Sequence, residues 1–116
     1  MWTIAIDELP PSLNEIYAGV HFRKRKMYAD KWHLLFLAAF RKAKLPKPLP
    51  TPITLNLTSF CKGVVRDTDN GILGIKFLGD SLKKYGYIKD DSPLYIPIVI
   101  LQSKKGKTNK LAITIQ

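Results

Sequence analysis

The chain of 116 residues predicts one α+β domain, spanning residues 1–116: a small mixed sheet carrying two helices in the order β-α-β-α-β-β. Three observations carry that reading. Short runs of alternating apolar and polar residues recur near both ends and in the middle of the chain. Two longer segments instead place their apolar residues at helical spacing. Proline or glycine stands at the joins between them.

Residues 2–7 alternate, with Trp2, Ile4 and Ile6 on one face of a strand. Pro10-Pro11-Ser12-Leu13-Asn14 breaks that pattern into an extended turn. Residues 15–28 read as irregular, or as a short hairpin around Arg23-Lys24-Arg25-Lys26. Asp30 suits the N-cap of a helix reaching about Lys44, and Arg41, Lys42 and Lys44 suit its C-terminal dipole. Trp32, Leu35, Phe36, Ala39 and Phe40 supply its inward stripe. Leu34, Leu37 and Ala38 are apolar as well, so the helix is greasy nearly all round. That predicts a second buried face, most simply the interface of an intimate homodimer.

The proline-rich connector LPKPLPTP, residues 45–52, ends the helix. Ile53, Leu55 and Leu57 alternate with Thr54, Asn56 and Thr58 as a half-buried strand. Residues 70–85 read as the second helix, stopped by Gly86. Strands at about 94–101 and 110–115 flank a polar SKKGKTN turn, and Pro97 places the first of them at an edge or bulge.

Composition excludes several classes. The N-terminus lacks the basic start and apolar run of a signal peptide. No apolar stretch approaches the roughly 20 residues of a membrane span. With Cys61 as the only cysteine there is no internal disulfide to form, which points to a reducing cytoplasm. The formal net charge of +10, from nineteen Lys and Arg against nine Asp and Glu, favours a polyanionic partner. Basic residues cluster at Arg23-Lys24-Arg25-Lys26 and at Lys104, Lys105, Lys107 and Lys110. Five acids, Asp67, Asp69, Asp80, Asp90 and Asp91, fall between positions 67 and 91.

That acidic island centres on Arg66-Asp67-Thr68-Asp69-Asn70. In an extended segment the two aspartates, at i and i+2, point to the same side. Like charges so placed disfavour each other unless a cation bridges them. Hard oxygen donors at this spacing suit Mg²⁺, with Mn²⁺ as a substitute, and a third carboxylate, which Asp90-Asp91 could supply, would complete a nuclease-type site. The other reading is turn chemistry, in which Asp69 or Asn70 caps the second helix and Asp90-Asp91-Ser92 is an ordinary turn.

Three blocks, PPSLN at 10–14, RDTDN at 66–70 and DSLKKYGYIKDD at 80–91, together resemble the RusA family of Holliday-junction resolvases. The likeness covers nearly the whole chain in the family's order. It implies a homodimeric, Mg²⁺-dependent endonuclease that cuts four-way DNA junctions by symmetric nicks in recombination and repair. By position it implies Asp67, Asp69 and Asp91 as metal-binding and catalytic carboxylates, and Lys76, four residues before Asp80, as the catalytic lysine. Arg66 falls at a basic position beside the site. With Asn14 and the basic clusters Arg23, Lys24, Arg25, Lys26, Lys104, Lys105 and Lys107, it completes the expected DNA-contacting set. The chain departs from the family between the second aspartate and the lysine. Here Lys76 follows Asp69 by seven residues, not four, as if three residues within Gly71-Ile72-Leu73-Gly74 were inserted. Either one continuous helix carries Lys76 further along the axis, or residues 70–74 loop and the helix starts later. Two other functions stay open: a catalytically silent nucleic-acid-binding module of the same fold, and a small RNA-binding protein.

Overall fold

The computed structural model describes residues 1–11 and 22–116 of the chain. Strand β1 (Trp2–Ile6) leads to helix α1 (Phe22–Lys42), strand β2 (Thr54–Cys61), a 3-10 turn (Thr68–Gly71), helix α2 (Ile72–Lys84), and strands β3 (Ile98–Lys105) and β4 (Lys110–Ile115). The expected order lacked the 3-10 turn between β2 and α2. The four strands form one mixed sheet in the order β1-β4-β2-β3. β4 pairs antiparallel with both β1 and β2, while β3 runs parallel to β2.

Strict alternation makes this sheet two-faced. Ile4, Ile6, Leu55, Leu57, Leu111, Ile113 and Ile115 are buried on one side under the helices, and their neighbours along each strand are not. Trp32, Phe36 and Phe40, spaced four apart on α1, are fully buried and stack along the helix at 5.7 and 6.0 Å between ring centroids. Phe40 then meets Tyr87 edge-on at 5.1 Å, closing the core where α2 ends. The proline connector is held down there too, by buried Leu45 and Leu49 and by the Leu49 N–H donating to the Tyr87 carbonyl at 2.8 Å.

Both helices end in the same backbone device. After α1, the Lys44 N–H donates to the Arg41 carbonyl and the Leu45 N–H to the Phe40 carbonyl, with Lys44 at φ 55°. After α2, Gly86 at φ 80° donates to Lys83, and Tyr87 donates to Leu82. This is the Schellman pattern, which needs one left-handed residue. Glycine meets that need at the second site, whereas Lys44 meets it against its own Cβ.

Several expectations are corrected. The Arg23-Lys24-Arg25-Lys26 segment is neither irregular nor a hairpin but the opening of α1. Its residues are good helix formers, and Lys26 pairs with Asp30 one turn on at 3.0 Å. Asp30 is therefore mid-helix, not an N-cap. The strand expected at 94–101 lies at Ile98–Lys105 instead, because Ser92 accepts from the N–H groups of Tyr95 and Ile96 in a turn ahead of Pro97. Ser103, Lys104 and Lys105 consequently belong to β3, and the β3–β4 turn shrinks to residues 106–109. Leu34 is 65% exposed on α1, with Ala38 also exposed, so one stripe of that helix lies uncovered in the single chain. No described helix is long and apolar enough to cross a membrane.

His33 sits where α1 meets α2. Both ring nitrogens are buried without a hydrogen-bond partner, and the ring meets Phe77 edge-on at 6.5 Å. Burial, and then the nearby Lys84 ammonium, push its pKa below the ordinary 6.5, against the opposing pull of Asp80 and Asp30. The folded state therefore binds the imidazole proton less readily than the unfolded chain does.

Two predictions follow from these packings. Gly86→Ala should lose about 1 kcal/mol in urea denaturation and Lys44→Gly should gain about 0.5–1 kcal/mol, because each changes a left-handed cap. The stabilisation tied to neutral His33 is complete above pH 6.5 and is lost as pH falls through the lowered folded value. The urea midpoint should fall over that window in the parent and fall less in His33→Phe.

Candidate functional site

The acid motif lies at the junction of β2 and α2. Asp67 stands at the N-cap position of the 3-10 turn with extended backbone, φ −58° and ψ 144°, yet its side chain makes no capping bond. Only its carbonyl is engaged, accepting the Asn70 N–H at 3.0 Å. Asp69 is in the turn itself, and the cap position of α2 falls on Gly71, again with no side-chain cap. The N-cap position of α2 is thus neither Asp69 nor Asn70. Asp67 and Asp69 are exposed and, among the described residues, stand outside every ion pair.

What sets this turn on the sheet is glycine. A Cβ at Gly74 would meet Leu57 Cδ1 at 3.1 Å, and one at Gly71 would meet Leu101 and Leu57 side chains at 3.4 and 3.5 Å. Gly74 lets α2 lie close on β2 despite its cost in a helix of about 1 kcal/mol, and Gly71 lets the 3-10 turn lie close on β3 and β2. The Gly71-Ile72-Leu73-Gly74 segment is accordingly not a loop. It passes from the 3-10 turn straight into α2, the continuous alternative of the two weighed from sequence. Seven residues at helical rise then put Lys76 about 10 Å beyond Asp69 along the axis.

Lys76 faces the seam between the helices. There it pairs with Asp80 at 4.0 Å and, with Arg25, Lys26, Ala29, Leu73 and Phe77, lines a groove of about 340 Å³. Sequence reasoning had no sign of this groove, because it placed Arg25 and Lys26 outside any helix. Once they are helical, Arg25, Ala29 and the pair Lys76 and Asp80 fall on facing sides by ordinary i, i+4 spacing.

Asp90 and Asp91 split their roles. The Asp91 N–H donates to the Asp90 carboxylate at 2.9 Å, and Lys83 approaches the same group at 3.4 Å. That backbone bond first, and Lys83 next, hold the Asp90 carboxyl below its ordinary 3.8. Asp91 is exposed and lies over Gly79, where a Cβ would meet its Cβ at 3.5 Å and its Oδ2 at 3.8 Å. Gly79 is ten residues past Asp69, about 15 Å along the helix. Among the described residues no three His, Cys, Asp or Glu side chains gather closely enough to hold a metal. The two hard donors of Asp67 and Asp69 suit a cation that completes its shell with water and phosphate oxygen. Asp91 is not gathered with them.

The basic residues are spread over separate surfaces. Arg66 donates to the Pro10 carbonyl at 2.6 Å, tying the exit of β1 to the acid turn. Beside it, Tyr28, Lys31 and Glu8 border a small cleft of about 130 Å³. Arg23 and Lys24 are exposed in the first turn of α1. Lys105 donates to the carbonyls of Lys62 and Gly63 at 2.6 and 2.7 Å, fastening the end of β3 to the loop after β2, while Lys104 and Lys107 are exposed nearby. Asn14, with the rest of the PPSLN block beyond Pro11, lies outside the described residues.

No family model and no curated protein matches the chain. The likeness to the resolvase family therefore rests on the three motif blocks.

Because neither aspartate caps a helix, Asp67→Asn and Asp69→Asn should each leave unfolding free energy within about 0.5 kcal/mol of the parent. Loss of a true cap would cost about 1 kcal/mol in the same urea titration.

Proposed function

We propose that this protein is a Mg²⁺-dependent endonuclease selective for four-way DNA junctions, working as a homodimer by paired symmetric nicks. The observation that carries the reading is the pair of exposed aspartates on the 3-10 turn, outside every ion pair and side-chain cap among the described residues, in a chain of net charge +10. Such carboxylates repel DNA phosphate unless a cation lies between them. A divalent cation bound there would activate water and stabilise charge on the phosphate.

The chain's own residues do the remaining work. Asp67 and Asp69 hold the cation through carboxylate oxygens on a turn that Gly71 and Gly74 seat against the sheet. Arg66 keeps that turn tied to β1 and offers its remaining guanidinium donors to phosphate. Lys76, further along α2, neutralises phosphate charge from the groove it shares with Arg25 and Lys26. The basic stretches at the start of α1 and the end of β3 hold the arms of the junction. Two-fold symmetry of the junction is met by two copies of the site.

One observation favours the second reading, a silent junction-binding module: Asp91 lies over Gly79 and not beside Asp69. The two readings separate in one assay. A labelled four-way junction should be nicked by the parent with Mg²⁺. Asp69→Asn should cut more slowly by at least the roughly 10–100-fold that losing a second-shell metal partner costs. Binding without cutting in Mg²⁺ or Mn²⁺ would select the silent module. Cutting by Asp69→Asn at the parent's rate would sink the metal-pair assignment.

A further inference from the structure

The sheet has a second face, turned away from the helices, and none of its residues is buried. Strand alternation puts Phe60 on it, with Asn56 and Thr58 earlier on β2. Register then fixes what flanks the ring: Lys104 of β3 on one side and Lys110 of β4 on the other. β2 lies between those two strands, so the lysine backbones stand about 10 Å apart with Phe60 between them. The half-buried ring meets no other ring and no lysine ammonium among the described residues. Lys104, Lys107 and Lys110 likewise stand outside every ion pair there. β2, β3 and β4 carry no carboxylate. Asp7, one residue past β1, comes opposite Lys110 when the register is continued, and forms no ion pair with it.

The β3–β4 turn makes a wall beside the ring. Gly106 lies so close that a Cβ there would meet the Phe60 Cβ at 2.9 Å. Its N–H donates to the Cys61 carbonyl at 3.0 Å, and the Asn109 side chain accepts the Lys62 N–H at 2.9 Å. Lys105 aims its ammonium at the Lys62 and Gly63 carbonyls, which leaves the other three lysines to face a ligand. These bonds hold open a hollow of about 310 Å³ lined by Phe60, Lys105, Gly106, Lys107, Thr108 and Lys110.

We infer that this hollow and the sheet face beside it bind an unpaired strand of DNA, with one base stacked on Phe60 and the neighbouring phosphates on Lys104, Lys107 and Lys110. Charge complementarity selects the occupant. A nucleotide strand offers a π-face between anionic groups, and this surface offers a ring between cations. A duplex keeps its base faces stacked on one another, so only an unpaired base can use the ring. A second copy of the chain is disfavoured, because face-to-face packing would set these lysines against their own kind. Past the ring the face is polar and uncharged: Gln102 donates to Asn56 at 3.3 Å, with Thr58 beside them, so no carboxylate repels the next nucleotide. This is not the acid site, since Gly71 seats that turn against Leu57 and Leu101 on the helix-bearing face. The stacking surface rests on register, and DNA in preference to RNA rests on the nuclease reading.

Fluorescence anisotropy of labelled oligo(dT) in EDTA, over a salt series, tests the inference, with circular dichroism to verify folding. Phe60→Leu should weaken oligo(dT) binding by about 5- to 150-fold, the loss of one stacked base, without changing the salt slope. It should leave binding of a blunt duplex within twofold of the parent, and Phe60→Trp should hold oligo(dT) at least as tightly as the parent. Lys104→Ala and Lys110→Ala should each flatten the slope of log affinity against log salt by about 0.7. Lys89→Ala, beyond α2, should match the parent in both. Phe60→Leu binding oligo(dT) as the parent does, or losing duplex affinity equally, overturns the stacking surface. Oligo(U) held tenfold tighter than oligo(dT) overturns DNA as the occupant. Junction cutting in Mg²⁺ is scored separately. A chain that holds oligo(dT) through Phe60 and never cuts defeats the nuclease reading alone, and one that cuts without holding oligo(dT) defeats the stacking surface alone.

Discussion

The contact on which the rest of this structure depends is the close approach of α2 to the sheet at Gly74 and Leu57. At 3.1 Å from a virtual Cβ to the buried leucine methyl, there is room for hydrogen at that position and little more. Because the helix lies so low, the 3-10 turn ahead of it sits directly on β3, and the helix axis aims Lys76 into the seam with α1. Move α2 outward by the width of a methyl group and the acid turn, the basic groove and the Phe77–His33 contact shift together.

That constraint recasts the segment that looked most anomalous. Between Asp69 and Lys76 the spacing departs from the resolvase pattern, and two glycines in a helix would ordinarily weaken it. Their position explains them as packing residues, Gly74 bringing the helix down onto β2 and Gly71 seating the turn before it on β3. The consequence for the proposed chemistry runs the other way. A continuous helix carries Lys76 and the Gly79–Asp91 contact away from Asp69, so Asp91 and Lys76 stand apart from the turn that bears Asp67 and Asp69. Asp7 and Asp91 also stand outside the ion pairs of the described residues, so what marks Asp67 and Asp69 is that both fall on one short turn of a basic chain. Asp30, Asp80 and Asp90 each have a lysine within 4.0 Å, and Glu8 is paired with Lys31.

Apolar surface is unevenly covered in this fold. One face of the sheet buries a full aromatic and aliphatic core under two helices. β3 is only half enclosed, because the helices cover β1, β4 and β2 and reach β3 only near Leu101. A strand so placed is either an aggregation liability or a pairing surface. The proline before it and the lysines at its end confine any pairing to its middle.

What the sequence determined by itself was everything set by local periodicity and composition: the α+β class, the inward stripe of the first helix, the β4 span, Gly86 as a helix stop, and the acid pair in a basic chain. Period-2 and period-3.6 patterns are written in neighbouring residues, so they survive without a partner. Tertiary structure decided what depends on contacts distant in sequence. Arg23-Lys24-Arg25-Lys26 has helix-forming residues and a local Lys26–Asp30 pair, and the core contacts of Tyr28 and Ala29 just beyond it fix the helix to the rest of the chain. The β3 span moved toward the C-terminus because its register is set by β2, over forty residues earlier. His33, unremarkable in the sequence, became a buried unpaired imidazole because α2 closes over it. Whether Asp67, Asp69 and Asp91 share a site is a matter of the same kind, since no spacing along a chain states how far apart two ends of a helix lie from a loop that returns beside it.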